Sequence, residues 1–172
     1  MMCEVHKPER TTAVLREFFF ECMRRGYVFS PPPIPMVGLP GSKSIRYEQG
    51  DLLFVDFWLT TPSSKESHGM TLISRAGRPV WAMHYGGWYD KRVIPFLKRA
   101  LARNYDDHVF EGGRGPRNLE GADHTLQYLN KVEQEGFADF RGHEQIIATS
   151  HQTGAPVGTV LGEHRYFGGL MV

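Results

Sequence analysis

Three titratable side chains in this chain sit where their surroundings would tune them for proton transfer: Asp56, His84 and Glu144. Asp56 falls within Leu52-Leu53-Phe54-Val55-Asp56-Phe57-Trp58-Leu59. Leu52, Phe54 and Trp58 share its side of an extended strand, so a carboxyl is set among apolar side chains. General acid–base chemistry needs such a group, shifted toward neutrality by burial and neighbours. Glu144 lies in Gly142-His143-Glu144-Gln145-Ile146, and His84 directly precedes Tyr85-Gly86-Gly87. The three would form an acid–base set if the segments carrying them face one another. The competing structural reading pairs Asp56 with an arginine such as Arg114 in an ion pair.

Trp58, Trp81, Tyr85, Trp88 and Tyr89 crowd one stretch. Aromatic residues in strands usually serve the core or cross-strand packing. Here Trp81, Met83 and Tyr85 share one face of their strand, while Ala82 and His84 share the other. A wall of rings formed by Trp81, Tyr85 and Tyr166 beside Arg114 would suit a small organic ligand with an acidic group. Other chemistry lacks its signature. Eight histidines show neither His-Glu-x-x-His nor a companion Cys-x-x-Cys, so no metal site is called for. No serine stands in Gly-x-Ser-x-Gly, and neither cysteine has a nucleophile context. Gly38-Leu39-Pro40-Gly41-Ser42-Lys43-Ser44 has two residues between its glycines where a phosphate loop needs four. No cofactor is implied.

The elements that must position these residues follow from periodicity. Thr11 or Thr12 caps a helix predicted over Ala13 to Arg25, with Val14, Leu15, Phe18, Phe19 and Cys22 on its apolar face and Gly26 ending it. Ser30-Pro31-Pro32-Pro33-Ile34-Pro35 is an extended connector. Ser44–Tyr47 and Asp51–Thr60 read as strands around Glu48-Gln49-Gly50, the second apolar on both faces and so expected to be central. Asp90 or Lys91 opens a second helix that runs to about Arg103, or it starts nearer Ile94, since Pro95 is tolerated only in a first turn. Glu111 to Arg117 is a glycine-rich loop, Leu126 to Leu129 a strand or short helix, and Gly168 to Val172 an apolar end expected to pair in a sheet.

One hairpin pattern occurs twice. Gly69-Met70-Thr71-Leu72-Ile73, Gly77-Arg78-Pro79-Val80 and His84-Tyr85-Gly86-Gly87 align with Gly142-His143-Glu144-Gln145-Ile146, Gly154-Ala155-Pro156-Val157 and Arg165-Tyr166-Phe167-Gly168-Gly169. The spacings from leading glycine to turn glycine, and from turn glycine to tyrosine, are eight residues in the first copy and twelve in the second. An insertion of four is even, so each side chain keeps its face. Polar positions differ: Thr71 stands where Glu144 does, and His84 where Arg165 does.

These motifs in this order resemble a family: a helix ending in Gly26-Tyr27; Tyr47-Glu48-x-Gly50-Asp51 with Asp56; Pro79-Val80-Trp81-x-Met83-x-Tyr85-x-Gly87; Arg114-Gly115-Pro116; Phe140-x-Gly142-x-Glu144-x-Ile146; and Tyr166-x-Gly168-Gly169. The family consists of uncharacterised bacterial domains of unknown function, found alone or behind a Cro/C1-type helix-turn-helix. The resemblance runs from about Val14 onward and implies a sensing or interaction role, with no residue-level mechanism. About ten residues precede the first helix, so no helix-turn-helix is expected before it.

The chain has 172 residues, 41% of them apolar, with 20 Lys and Arg against 19 acidic residues and a net charge of +1. That balance argues against nucleic acid as partner, and no apolar window is long enough for a membrane span. Met1 to Arg10 is no signal peptide, so a cytoplasmic protein is expected. The fold expected is α+β: twisted antiparallel sheet built from two related β-hairpin units, about 45–90 and 115–172, in a single domain with two helices packed on the sheet. The function expected is a small-molecule-sensing or interaction module with an aromatic-lined pocket, with dimerisation left open. The alternatives are an acid–base enzyme using Asp56, Glu144 and His84, or a purely structural or protein-binding domain.

Overall fold

A computed structural model describes residues 8–28 and 32–171. Cys3, His6, Ser30, Pro31 and Val172, on which some expectations rest, lie outside them. Helix α1 (Pro8–Met23) is followed by a wider turn of π type over Arg24–Val28. The strands are β1 (Ser42–Gln49), β2 (Leu52–Thr60), β3 (Glu66–Arg75) and β4 (Arg78–Tyr89), then, after helix α2 (Ile94–Asp106), β5 (Asn118–Glu120), β6 (Leu126–Gln134), β7 (Asp139–Ala148) and β8 (Val160–Leu170). All eight form one antiparallel sheet in the order β1-β2-β3-β4-β8-β7-β6-β5, giving an α+β fold.

Alternation decides which side of the sheet is covered. Leu52, Phe54 and Asp56 on β2, Trp81 and Met83 on β4, and Phe140, Glu144 and Ile146 on β7 are buried beneath the helices. Helix α1 contributes Leu15, Phe18, Phe19 and Cys22, and α2 contributes Phe96, Leu97, Ala100, Leu101 and Tyr105. Trp81 anchors this layer. Its ring stacks on Phe137 and Phe140, with centroids at 4.9 and 5.5 Å, and its Nε1 donates to the Phe137 carbonyl at 2.8 Å. Residues of opposite parity, such as His84, Arg165 and Phe167, lie exposed on the other face.

Helix α2 begins at Ile94 with Pro95 in its first turn, as the missing proline N–H requires. Helix α1 starts at Pro8, a turn earlier than the threonine caps suggest, and the chain winds on past Gly26. Gly26 is needed there for space: a Cβ would come within 2.8 Å of Ile45 Cγ2. Strand β2 is second from the edge rather than central, so its second apolar set, Leu53, Val55, Phe57 and Leu59, faces the uncovered side. The described part of the proline-rich stretch is extended, and Ile34 bridges to Ser44 in both directions at 2.9 and 2.8 Å. The described chain is paired as far as Met171, whose N donates to Val80 O.

The register around the β4–β8 seam has a local two-fold relation. Tyr85 lies opposite Tyr166; Gly87 lies opposite His164, and Gly168 opposite Met83. Moving outward on each side, Tyr85 pairs with Gly69 and Tyr166 with Gly142. Further out, Thr71 pairs with Asp56, and Glu144 with Asn130. A Cβ on Gly69 would sit 2.5 Å from Tyr85 Oη, and one on Gly142 would likewise strike the Tyr166 hydroxyl. Each glycine thus lets a tyrosine lie flat across its partner strand toward the polar group one strand further on.

Candidate functional site

Between the helix ends and the β1–β4 half of the sheet is a cleft of about 390 Å³. Its walls are Met23, Ile45, Trp58, Ile94 and Leu97, its inner surface carries Asp56, Tyr85, Tyr89, Arg114 and His164, and Lys43, Lys65, Lys91 and Lys98 complete it. Strand parity explains the inner set. Asp56, Tyr85, Tyr89 and His164 all point to the helix-covered face, where Met23 of α1 and Ile94, Leu97 and Lys98 of α2 complete the lining. Among the described residues Asp56 is the one carboxylate in the lining.

Asp56 is 3% exposed. Its Oδ1 accepts from Thr71 Oγ1 at 2.8 Å and from Tyr85 Oη at 3.0 Å. Burial pushes its pKa from 3.8 to about 6; the two hydrogen bonds and the charge of Arg114 pull the other way without prevailing. Both donors meet Oδ1, so the remaining oxygen is the one presented to the cleft. Beside it, His164 Nε2 and Ser67 Oγ lie 3.3 Å apart, while His164 Nδ1 is buried with no hydrogen-bond partner among the described residues. The imidazole stacks near Tyr85 and tilts against Tyr89, with centroids at 5.9 and 4.7 Å. Burial, with Arg114 adding to it, lowers its pKa to about 4 against the pull of Glu144, so the ring is neutral at pH 7.

Behind this surface lies a fully buried ion pair. Arg114 Nε donates to Glu144 Oε1 at 2.9 Å and Nη2 donates to the same oxygen; Tyr89 Oη adds a bond at 2.8 Å, and Tyr128 Oη donates to Oε2. Burial works to raise the pKa of Glu144, but the guanidinium and these donors outweigh it and the pKa is lowered. Arg114 reaches the pair because the loop Glu111–Arg117 is tied down on every side. Asn130 Nδ2 donates to the carbonyls of Glu111 and Gly115 at 3.0 and 2.8 Å, Asn104 Nδ2 to that of Arg114 at 3.0 Å, and Tyr105 Oη to that of Gly113 at 3.0 Å. Gly112, at φ +67°, presses on the Tyr166 ring where a Cβ would collide with it.

A family model described as a domain of unknown function, DUF5680, matches residues 63–170. The chain belongs to this family. No curated protein and no solved structure matches it. The matched part of this DUF5680 protein holds β3 to β8 with Tyr85, Tyr89, Arg114, Glu144 and His164; Asp56 and Lys43 precede it.

The predicted residues are distributed as follows. Asp56, Tyr85 and Arg114 meet in the cleft. Glu144 lies just behind, held by Arg114, and the Asp56–Arg114 ion pair is replaced by Glu144–Arg114. His84 is on the uncovered face, stacked on Phe167 at 5.0 Å, so Asp56, Glu144 and His84 are not brought together. Trp81 is wholly core, and Tyr166 donates to Asn130 Oδ1 at 2.6 Å away from the cleft. His164 was readable in principle: it stands two residues before Tyr166 and therefore shares that tyrosine's face. The four lysines come singly from β1, the β2–β3 loop, the β4–α2 junction and α2, with no local signal. Among the described residues no helix is long and apolar enough to cross a membrane, and no cluster of metal-ligating side chains occurs.

Proposed function

We propose that this DUF5680 protein is a cytoplasmic small-molecule-sensing module whose ligand is an organic acid with an apolar or aromatic body. The observation that carries this reading is the composition of the cleft. Among the described residues Lys43, Lys91, Lys98 and Arg114 line it with one carboxylate, Asp56, and Lys65 at its edge is paired with Asp90 at 3.3 Å, over walls of Trp58, Tyr85, Tyr89, Ile94 and Leu97. Glu144 already neutralises Arg114, so the lysines supply the attraction for an anion and the aromatic walls the apolar contact. The volume, about 390 Å³, suits a molecule of metabolite size.

A second reading makes Asp56 a proton-transfer group, because a carboxyl titrating at about 6 in a cleft is poised for acid–base work near neutral pH. Thermal-shift screening against aromatic and aliphatic carboxylates, phosphate esters and amines tests the first. Carboxylates should raise the midpoint, and Lys43→Glu with Lys91→Glu should weaken binding at least about tenfold by reversing charge at the cleft. Stabilisation by amines alone would refute it. Mass spectrometry of the stabilising compound after incubation separates the readings: chemical change favours Asp56 as a catalyst.

A further inference from the structure

The two-fold relation about Tyr85 and Tyr166 sets Asp56 and Asn130 in equivalent places, one strand beyond the equivalent partners Thr71 and Glu144. The hydrogen bonds match. Tyr166 Oη donates to Asn130 Oδ1 at 2.6 Å, and Tyr85 Oη to Asp56 Oδ1 at 3.0 Å. The other end of the Asn130 amide is a donor, given to the carbonyl oxygens of Glu111 and Gly115. On the Asp56 side the cleft lies in the corresponding place among the described residues. The second oxygen of Asp56 therefore faces the cleft as the Asn130 Nδ2 faces its loop carbonyls. Because Thr71 and Tyr85 both donate to Oδ1, a proton on Asp56 resides on Oδ2.

We propose that Asp56 is protonated in the ligand-bound state and donates from Oδ2 to an oxygen of the ligand, so that the cleft takes up an organic acid together with one proton. This rests on reading the cleft as an organic-acid site. The other groups facing Asp56 are consistent with it. Arg114 on the loop is paired with Glu144 but its charge still opposes protonation of Asp56, His164 on β8 is neutral, and Tyr85 and Tyr89 on β4 and Thr71 on β3 carry no charge. Lys43 on β1, Lys91 beside the strand end and Lys98 on α2 also line the cleft, and Lys65 is paired with Asp90. A bound carboxylate offsets that opposition and adds a negative neighbour, which drives the proton on.

Isothermal titration with benzoate, in buffers of different ionisation enthalpy, reads the proton directly. Uptake of close to one proton is expected at pH 8, and apparent affinity should fall roughly a hundredfold between about pH 5 and pH 8. Asp56→Asn places an amide donor where Asn130 has one, so its benzoate affinity should be flat across that range. Benzoate binding without uptake, or with the same pH slope in Asp56→Asn, overturns the proton-donor assignment and leaves the organic-acid reading standing. Absence of binding by both benzoate and phenyl phosphate overturns that reading and this one with it. Benzylamine binding that strengthens with rising pH overturns the assignment by showing Asp56 acting as a carboxylate acceptor. Should Asp56→Asn fail to fold, proton uptake by the unaltered protein still decides.

Discussion

Replacing Asp56 by Asn should stabilise this protein, and only at neutral and alkaline pH. Asp56 titrates at about 6 in the folded chain against 3.8 ordinarily, because burial disfavours its charge. A carboxyl whose folded pKa is raised contributes stability that is fully present below its unfolded value and is lost as pH rises through the folded one. At about 1.4 kcal/mol per pH unit, the loss by pH 8 amounts to about 3 kcal/mol. Asn keeps an Oδ1 acceptor for Thr71 and Tyr85 and has no charge to bury, so it avoids this loss. Urea unfolding at pH 4 and pH 8 measures it. With a slope of about 2 kcal/mol per molar, the Asp56→Asn midpoint should lie about 1.5 M above the parent at pH 8, and within about 0.3 M of it at pH 4. An equal displacement at both pH values, or a variant less stable at pH 8, would refute the claim that burial dominates at Asp56.

Three further outcomes test the frame around the cleft. Arg114→Met leaves Glu144 buried without its cation and should cost about 3–5 kcal/mol at neutral pH. The lowered pKa of Glu144 depends on Arg114, so without it burial raises that pKa and the cost should grow between pH 5 and pH 8; a cost independent of pH in urea titrations would argue against the pair. Gly69→Ala brings a Cβ to 2.5 Å from both the Phe57 carbonyl and Tyr85 Oη, which should destabilise by about 1–3 kcal/mol and detach Tyr85 from Asp56, a loss seen by calorimetry and by weaker benzoate binding. Cys22 is buried and its thiol pKa is pushed up to about 12, so in a Cys3→Ser background a thiol reagent should label it only as fast as the protein unfolds.

Strand alternation and tight-turn glycines made the hairpins and the α2 start at Ile94 legible, because period-two patterns and the missing proline N–H act locally. The same alternation placed Asp56 on a buried face and Tyr85 with Met83. What the sequence could not carry was which faces the helices cover and where they stop. His84 and Tyr85 are neighbours, and parity alone sends one to the uncovered face and the other to the cleft. The partner of Arg114 was equally hidden. Glu144 and Asp56 are both buried carboxylates on equivalent halves of the sheet, and the choice depends on a loop held by Asn104, Tyr105 and Asn130. Those anchors are single polar residues on α2 and β6, unremarkable in isolation.

The two halves of the sheet solve one packing problem in opposite ways. In the β5–β8 half, the loop Glu111–Arg117 fills the space over Tyr166, Asn130 satisfies its carbonyls, and Glu144 receives Arg114. The side chains of Asn130, Glu144 and Arg114 all find partners within the chain there, which is what a rigid interior requires. In the β1–β4 half, Thr71 replaces Glu144 and Asp56 replaces Asn130. Among the described residues no loop descends there; a buried carboxyl that takes both its hydrogen bonds on Oδ1 lines the cleft, and behind it the unpartnered His164 Nδ1 lies 4.0 Å from Glu144 Oε1. Unpaired polar atoms at such depth cost stability, and removing the charge at Asp56 would relieve part of that cost. A fold that closes this arrangement on one side and leaves it open on the other, with lysines around the opening, has the polarity of a site whose missing partner is supplied from outside.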